Sequence, residues 1–158
     1  MKVWRLRAQG SGFKVWRVEG LEAQGSGFKV LSNIIMGNYE EIKVWQLSKD
    51  LAVRIYRAVE SSENLKKDFG LKDQIQRSSV SIPSNIAEGD ELRTIKNSIR
   101  HFYIAKGSCA ELITQLMIIK EIGKLEPNLC DELILQTKHI ARGLHKLILA
   151  RQSWKTES

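Results

Sequence analysis

The sequence predicts an all-α protein: an up-down-up-down four-helix bundle with a kinked second helix, preceded by a non-globular N-terminal extension. Three observations predict it. From Ile42 onward, apolar residues return at spacings of three and four in four successive segments, the pattern of helices with a buried stripe. Short polar connections join the segments, and the tightest of them forces its helices antiparallel. Only two prolines interrupt the 158 residues, and no segment shows the alternation of a strand. The expected organisation is an extension over 1–38, a bundle over 39–151 and a frayed tail over 152–158.

The extension is repetitive. Ala8-Gln9-Gly10-Ser11-Gly12-Phe13-Lys14-Val15 recurs as Ala23-Gln24-Gly25-Ser26-Gly27-Phe28-Lys29-Val30, and Lys-Val-Trp begins at Lys2, Lys14 and Lys43. Two Gly-Ser-punctuated copies fall short of a stacked repeat, which needs about three units sharing an apolar face. The extension is therefore expected to be disordered, or translated from tandemly repeated DNA upstream of a true start at Met36. Trp4, Phe13, Trp16 and Phe28 interleave with Lys and Arg, a composition that also suits single-stranded nucleic acid.

Val44, Leu47, Leu51, Ile55 and Val59 make the stripe of the first helix, which is expected to run to about Ser62. Glu63 to Gly70 reads as a polar connection. Leu71, Ile75, Ser78, Ile82 and Ile86 form the second stripe, poor in large residues. Pro83 removes one N–H and collides with the carbonyl of Ser79, so this helix should bend there. Ser79, Ser81 and Ser84 are placed to satisfy the freed backbone groups. Gly89-Asp90 should close the helix and Thr94 cap the next.

The third helix, Thr94 to Gly123, carries Phe102, Ala105, Cys109, Leu112, Leu116, Ile119 and Gly123 as a bundle seam. Ile118 and Ile122 lie about 200° and 240° around the helix from Leu116. A helix apolar on two sides needs two partners. Pro127 sits at the first position of the fourth helix, where a missing N–H costs nothing. Leu129, Leu133, Ile140, Leu144 and Leu147 form its main stripe, with Cys130, Ile134, Ala141 and Ile148 beside it.

The formal charge of +7 suggests polyanionic partners, but it is unevenly placed. Residues 1–35 hold six Lys/Arg against two Asp/Glu, a net of +4; the rest hold nineteen against sixteen, a net of +3. Cys109 and Cys130 lack metal or disulfide spacing and are expected as reduced, buried thiols. No apolar run approaches the ~20 residues of a membrane span and no signal-peptide pattern opens the chain, so a cytoplasmic protein without a membrane partner is expected.

Recognisable catalytic chemistry is missing. Carboxylate-bridged metal bundles place Glu three residues before His, whereas Ser98, Gln136 and Arg142 precede His101, His139 and His145. There is no His-Glu-x-x-His, no Gly-x-Ser-x-Gly and no phosphate loop. No enzyme activity, metal or cofactor is expected. The fourth helix carries the candidate nucleic-acid contacts Lys138, His139, Arg142, Lys146 and Arg151, with His145 among them and no acid between Glu132 and Glu157. His139, Arg142 and Lys146 step by three and four along one edge. The alternative is a solvated face whose acids sit on neighbouring helices. Near Pro83, a second polar cluster comprises Asn85, Glu88, Arg93 and Arg100, with Glu88 expected to pair with an arginine inside the bundle or across a subunit contact.

The run Gly70 to Gly89, with Ser81-Ile82-Pro83-Ser84-Asn85-Ile86-Ala87-Glu88-Gly89 as its core, resembles the signature of the four-helix-bundle family also called 23S rRNA intervening sequence proteins. Lys43-Val44-Trp45-Gln46, Tyr103 to Ser108 with Glu111-Leu112, and the leucines of the fourth helix extend the resemblance over about Tyr39 to Ala150. One departure is that Asp90-Glu91-Leu92 stand between Gly89 and Arg93. The resemblance implies a bacterial homopentamer with no assigned activity. The related accessory variability proteins of diversity-generating retroelements imply a basic pentamer that binds a reverse transcriptase and nucleic acid.

The expected function is thus a non-catalytic, homo-oligomeric and specifically pentameric bundle that binds RNA or DNA through its fourth helix; the alternative is a protein-interaction scaffold. A reverse-transcriptase-like protein is a further partner that the resemblance suggests. Ser81, Pro83, Asn85, Glu88, Gly107, Ser108, Ile118 and Ile122 are the expected structural or oligomer contacts, the small ones letting the second and third helices approach closely.

Overall fold

The structure is a computed structural model that describes residues 8–9, 15–18, 21–22, 38–92 and 94–153. The chain divides into two units, Met1–Gly37 and Asn38–Ser158. In the first, β1 (Ala8–Gln9), β2 (Val15–Val18) and β3 (Leu21–Glu22) form an antiparallel sheet in the order β1-β2-β3. Strands were not expected here. Gln9 pairs with Val15 and Ala8 with Trp16, so the first repeat copy is paired to itself, and Val15-Trp16-Arg17-Val18 is composed of strand-favouring residues around one arginine. The second copy and Met36 lie outside the described residues.

The second unit is all-helical. A 3-10 turn, Tyr39–Glu41, leads into α1 (Lys43–Ser61), and Tyr39 packs edge-on against Trp45 with ring centroids 5.0 Å apart. Val44, Leu51, Ile55 and Val59 are buried as their spacing predicts, while Leu47 is half-buried. The expected polar connection contains a helical turn, Glu63–Lys66, because Leu65 is fully buried within it. Ser62 Oγ accepts from Leu65 N at 3.2 Å and donates to the Lys124 carbonyl at 2.6 Å.

Asp68 caps α2 (Phe69–Glu91) by accepting from Leu71 N at 3.1 Å. Pro83 lies inside this helix, which continues two turns past it and two residues beyond the expected stop at Gly89. The neighbouring hydroxyls have other partners than the expected one: Ser79 Oγ donates to the Gln76 carbonyl at 2.7 Å and Ser81 Oγ meets Ser108 Oγ at 2.8 Å. Gly89 is a packing position rather than a terminator. A Cβ there would sit 2.6 Å from Phe102 Cε1 and 3.1 Å from the Ser98 carbonyl oxygen.

Thr94 precedes α3 (Ile95–Glu121) as expected, yet its side chain makes no cap bond. The seam from Phe102 to Ile119 is buried. Gly123, expected on that seam, instead ends the helix: its φ of 68° is the left-handed conformation that favours glycine. Lys124 N then bonds the Ile119 carbonyl at 3.0 Å and Gly123 N that of Lys120 at 3.2 Å, which satisfies two terminal carbonyls. In α4 (Pro127–Ser153) the buried stripe is Cys130, Leu133, Ile134, Thr137, Ile140, Leu144 and Ile148. It is rotated from the expected one, leaving Leu129 and Leu147 half-buried.

The long helices touch in a cycle, α1 to α2 to α3 to α4 and back to α1. Ser78 meets Gln115, Ser81 meets Ser108 and Asn85 meets His101, so α2 and α3 run in opposite directions. Arg54 meets Gln136 while Val44 lies against Gly143, so α1 and α4 also oppose. One 18-residue window of α3 is apolar enough on average for a membrane span, a test that the core helix of a bundle also meets. The helix sums a buried seam with the exposed apolar residues Ile104, Met117 and Ile118, each more than 40% exposed.

Candidate functional site

The outer face of α4 gathers the basic residues that the sequence singles out. At about 100° per residue, Lys138, His139, Arg142, His145 and Lys146 fall within roughly one third of the helix circumference. All five are exposed. Among the described residues, Lys138, Arg142 and Lys146 have no ion-pair partner, so neighbouring helices do not supply the acids that would make this an internally balanced face. Leu135 and Leu149 project on the same side, 64% and 51% exposed.

Arg151 departs from the expected set. It pairs with Asp90 at the end of α2, and its guanidinium lies 5.9 Å from the centre of the Phe102 ring. Asp90 continues the spacing of Ile82 and Ile86 along the buried stripe of α2. A carboxylate at such a position needs a cation, and that was the available signal for Arg151. This residue holds the ends of three helices together and is removed from the basic face.

A groove of about 370 Å³ runs between α1 and α4, lined by Leu47, Arg54, Glu132, Leu135, Gln136, His139 and Ile140. Arg54 Nη1 donates to Gln136 Oε1 at 2.7 Å, and Arg54 Nη2 donates to Glu132 Oε2 at 2.9 Å. His139 therefore belongs both to the groove and to the basic face.

Of the second polar cluster, Asn85 and Glu88 join a chain of bonds between α2 and α3; Arg100 is exposed and takes no part in it, and Arg93 lies outside the described residues. His101 Nδ1 is 3.0 Å from Glu88 Oε2 and 3.1 Å from Asn85 Oδ1. Asn85 Nδ2 donates to the Ser81 carbonyl and to Ser81 Oγ, and Ser81 Oγ meets Ser108 Oγ. Glu88 thus pairs with a histidine, where an arginine was expected. Sequence reasoning discounted His101 because it tested for metal ligands along one helix, whereas the partners of this ring come from the helix beside it. Pro83 is half-buried nearby. Gly107, Ile118 and Ile122 are exposed on the outward face of α3, away from this chain of bonds.

Burial alone pushes the Cys109 thiol up to about 12, and burial raises that of Cys130, with Asp131 adding to the effect. Neither suits a nucleophile. Among the described residues no cluster of three or more His, Cys, Asp or Glu is placed to hold a metal ion.

A family model described as 23S rRNA-intervening sequence protein matches residues 40–146. Among solved structures, the chain is similar to a protein of unknown function from the S23 ribosomal protein family of Bacteroides thetaiotaomicron VPI-5482. The two share 25% identity and a TM-score of 0.63, over 66% of this chain and 97% of that one. No curated protein matches the chain. With the match extending over more than half of its residues and an all-helical body beneath it, the chain belongs to the 23S rRNA-intervening sequence protein family.

Proposed function

We propose that this protein is a non-catalytic, homo-oligomeric four-helix bundle that binds RNA or DNA through the outer face of α4. The observation that carries the reading is the exposed row of Lys138, Arg142 and Lys146, without acidic partners among the described residues. Cations left in this state attract phosphates and release counterions on binding. The opposed contacts of α2 with α3 and of α1 with α4 support an up-down-up-down bundle.

The exposed apolar side chains of Tyr103, Ile104, Met117 and Ile118 on α3, with Ile122 at its C-terminal cap, support self-association, since apolar residues gathered on an outward surface often mark a contact. A pentamer is the assembly that the family resemblance implies. Five weak basic faces in one assembly would bind a single polyanion far more tightly than one, through effective concentration.

The test is a binding titration of the native protein against RNA and DNA at several salt concentrations. Affinity should fall steeply with salt, and Arg142→Glu combined with Lys146→Glu should abolish binding while leaving the thermal transition in place. Affinity indifferent to salt, or unchanged in the double variant, rules the reading out. Native mass spectrometry checks the assembly; a monomer at working concentration ends the oligomer proposal.

A further inference from the structure

We infer that the groove between α1 and α4 receives an unpaired nucleobase, which makes the ligand of the α4 face a single strand rather than a duplex. This rests on the reading of α4 as a phosphate-binding face and specifies its substrate class.

The groove borders the basic face directly, because His139 belongs to both. A strand whose phosphates follow Lys138, Arg142 and Lys146 would therefore present its bases beside the groove mouth. The lining suits a base. Leu47 and Leu135 supply apolar surface above the buried Ile140, while the Arg54 guanidinium and the His139 imidazole are planar groups of the kind on which unpaired bases stack.

The polar atoms also remain available in part. Gln136 uses Oε1 to accept from Arg54 and keeps its amide N–H groups, and Glu132 uses Oε2 and keeps Oε1. Two residues one helical turn apart on α4 and joined through Arg54 thus offer the groove a donor and an acceptor, the combination that reads the hydrogen-bonding edge of a base. The volume of about 370 Å³ falls within the range of small-ligand sites. In a duplex that edge is already paired and the base is stacked, so a duplex could offer the groove nothing.

Leu135 gives a clean variant, since it is 64% exposed and contributes little to the core. Fluorescence anisotropy should compare single strands, duplexes and abasic strands of equal length, as RNA and as DNA, in the wild type and in Leu135→Ser. The wild type should favour the single strand over both the duplex and the abasic strand by about tenfold, the order of one stacked base. Leu135→Ser should lose most of that preference yet keep the salt dependence and the thermal transition of the wild type. Equal binding of all three ligands, or a preference that survives in Leu135→Ser, overturns the inference while the α4 face stands. Failure of every oligonucleotide to bind at low salt overturns both.

Discussion

The carboxylate of Asp90, at the end of α2, is ion-paired with the guanidinium of Arg151 at the end of α4, and the ring of Phe102 from α3 lies against that guanidinium. The backbones of α2 and α4 are not neighbours, so this ion pair reaches diagonally across the bundle. The side chains differ in exposure, 7% for Asp90 against 20% for Arg151. Removing the arginine leaves a buried carboxylate, whereas removing the carboxylate leaves a long side chain that can turn to water. Arg151→Ala should therefore cost about 3 kcal/mol and Asp90→Asn less, roughly 1 kcal/mol. The double variant should be more stable than Arg151→Ala alone. Urea unfolding of the three proteins checks the order, and equal losses in the two single variants would contradict it.

Gly89 packs against the same ring. A Cβ at this position would lie 2.6 Å from Phe102 Cε1, and the Ser98 carbonyl at 3.1 Å blocks a sideways shift. Phe102 is fully buried, so its ring cannot swing clear. Gly89→Ala should destabilise the protein by about 1–3 kcal/mol despite the better helix propensity of alanine. Phe102→Leu should relieve part of that loss, so the pair of substitutions should cost less than the sum of the singles. Additive losses would show that the ring is not the obstacle.

These two contacts mark what the sequence could and could not convey. Apolar spacing located four helices and the α3 seam because one helix's periodicity depends on that helix alone. The rotation of the α4 stripe, the role of Gly89 and the partner of Arg151 depend on the surfaces opposite, which no single-helix pattern contains. The basic residues of α4 were legible because the absence of acids between Glu132 and Glu157 is a property of the chain. The groove was not, since Arg54 and Gln136 are separated by 82 residues. Asn85 and Glu88 were legible as a polar cluster and Ser81 and Ser108 as contact residues, but not the ring of His101 that joins Asn85 to Glu88.

Asp68 makes stability depend on acid. The side-chain bond from Lys124, followed by the backbone bond from Leu71, holds its carboxyl below the ordinary range. Lys124 Nζ is 2.8 Å away and belongs to the turn between α3 and α4. A group with a depressed folded-state pKa contributes stability above its unfolded value, about 3.9, and loses that contribution as pH falls through the folded value beneath it. Asp68→Asn retains a cap for Leu71 N and removes the charge. Its stability deficit should be constant near neutrality and should close as pH falls below about 4. Denaturant midpoints of the two proteins across this range provide the measurement, and a deficit that persists in acid would assign the effect to something other than the carboxylate.

The thiols of Cys109 and Cys130 should be silent in the native protein. Burial pushes Cys109 up to about 12, so almost no thiolate exists at pH 8, and both side chains are fully buried. Iodoacetamide at that pH should leave the native chain unmodified and label both cysteines after unfolding in urea. Labelling of either thiol at its exposed-cysteine rate, without unfolding, would contradict the packing of α3 and α4 described here.

His101 offers the sharpest test of the contact between α2 and α3. Its Nδ1 faces two acceptors, Glu88 Oε2 at 3.0 Å and Asn85 Oδ1 at 3.1 Å, so that nitrogen must carry the proton. Asn85 Oδ1 is fixed as the acceptor because Nδ2 donates to Ser81. His101→Ala leaves the half-buried Asn85 carbonyl unpaired and should cost about 1–2 kcal/mol. His101→Asn puts an amide N–H near the position of Nδ1 and should recover part of that cost, whereas His101→Gln, whose donor lies nearer the position of Nε2, should recover less. Nitrogen-15 NMR of the imidazole at a pH where it is neutral should report the Nδ1–H tautomer. The Nε2–H tautomer, or equal stability of the Asn and Gln variants, would show that the ring does not bridge Glu88 and Asn85.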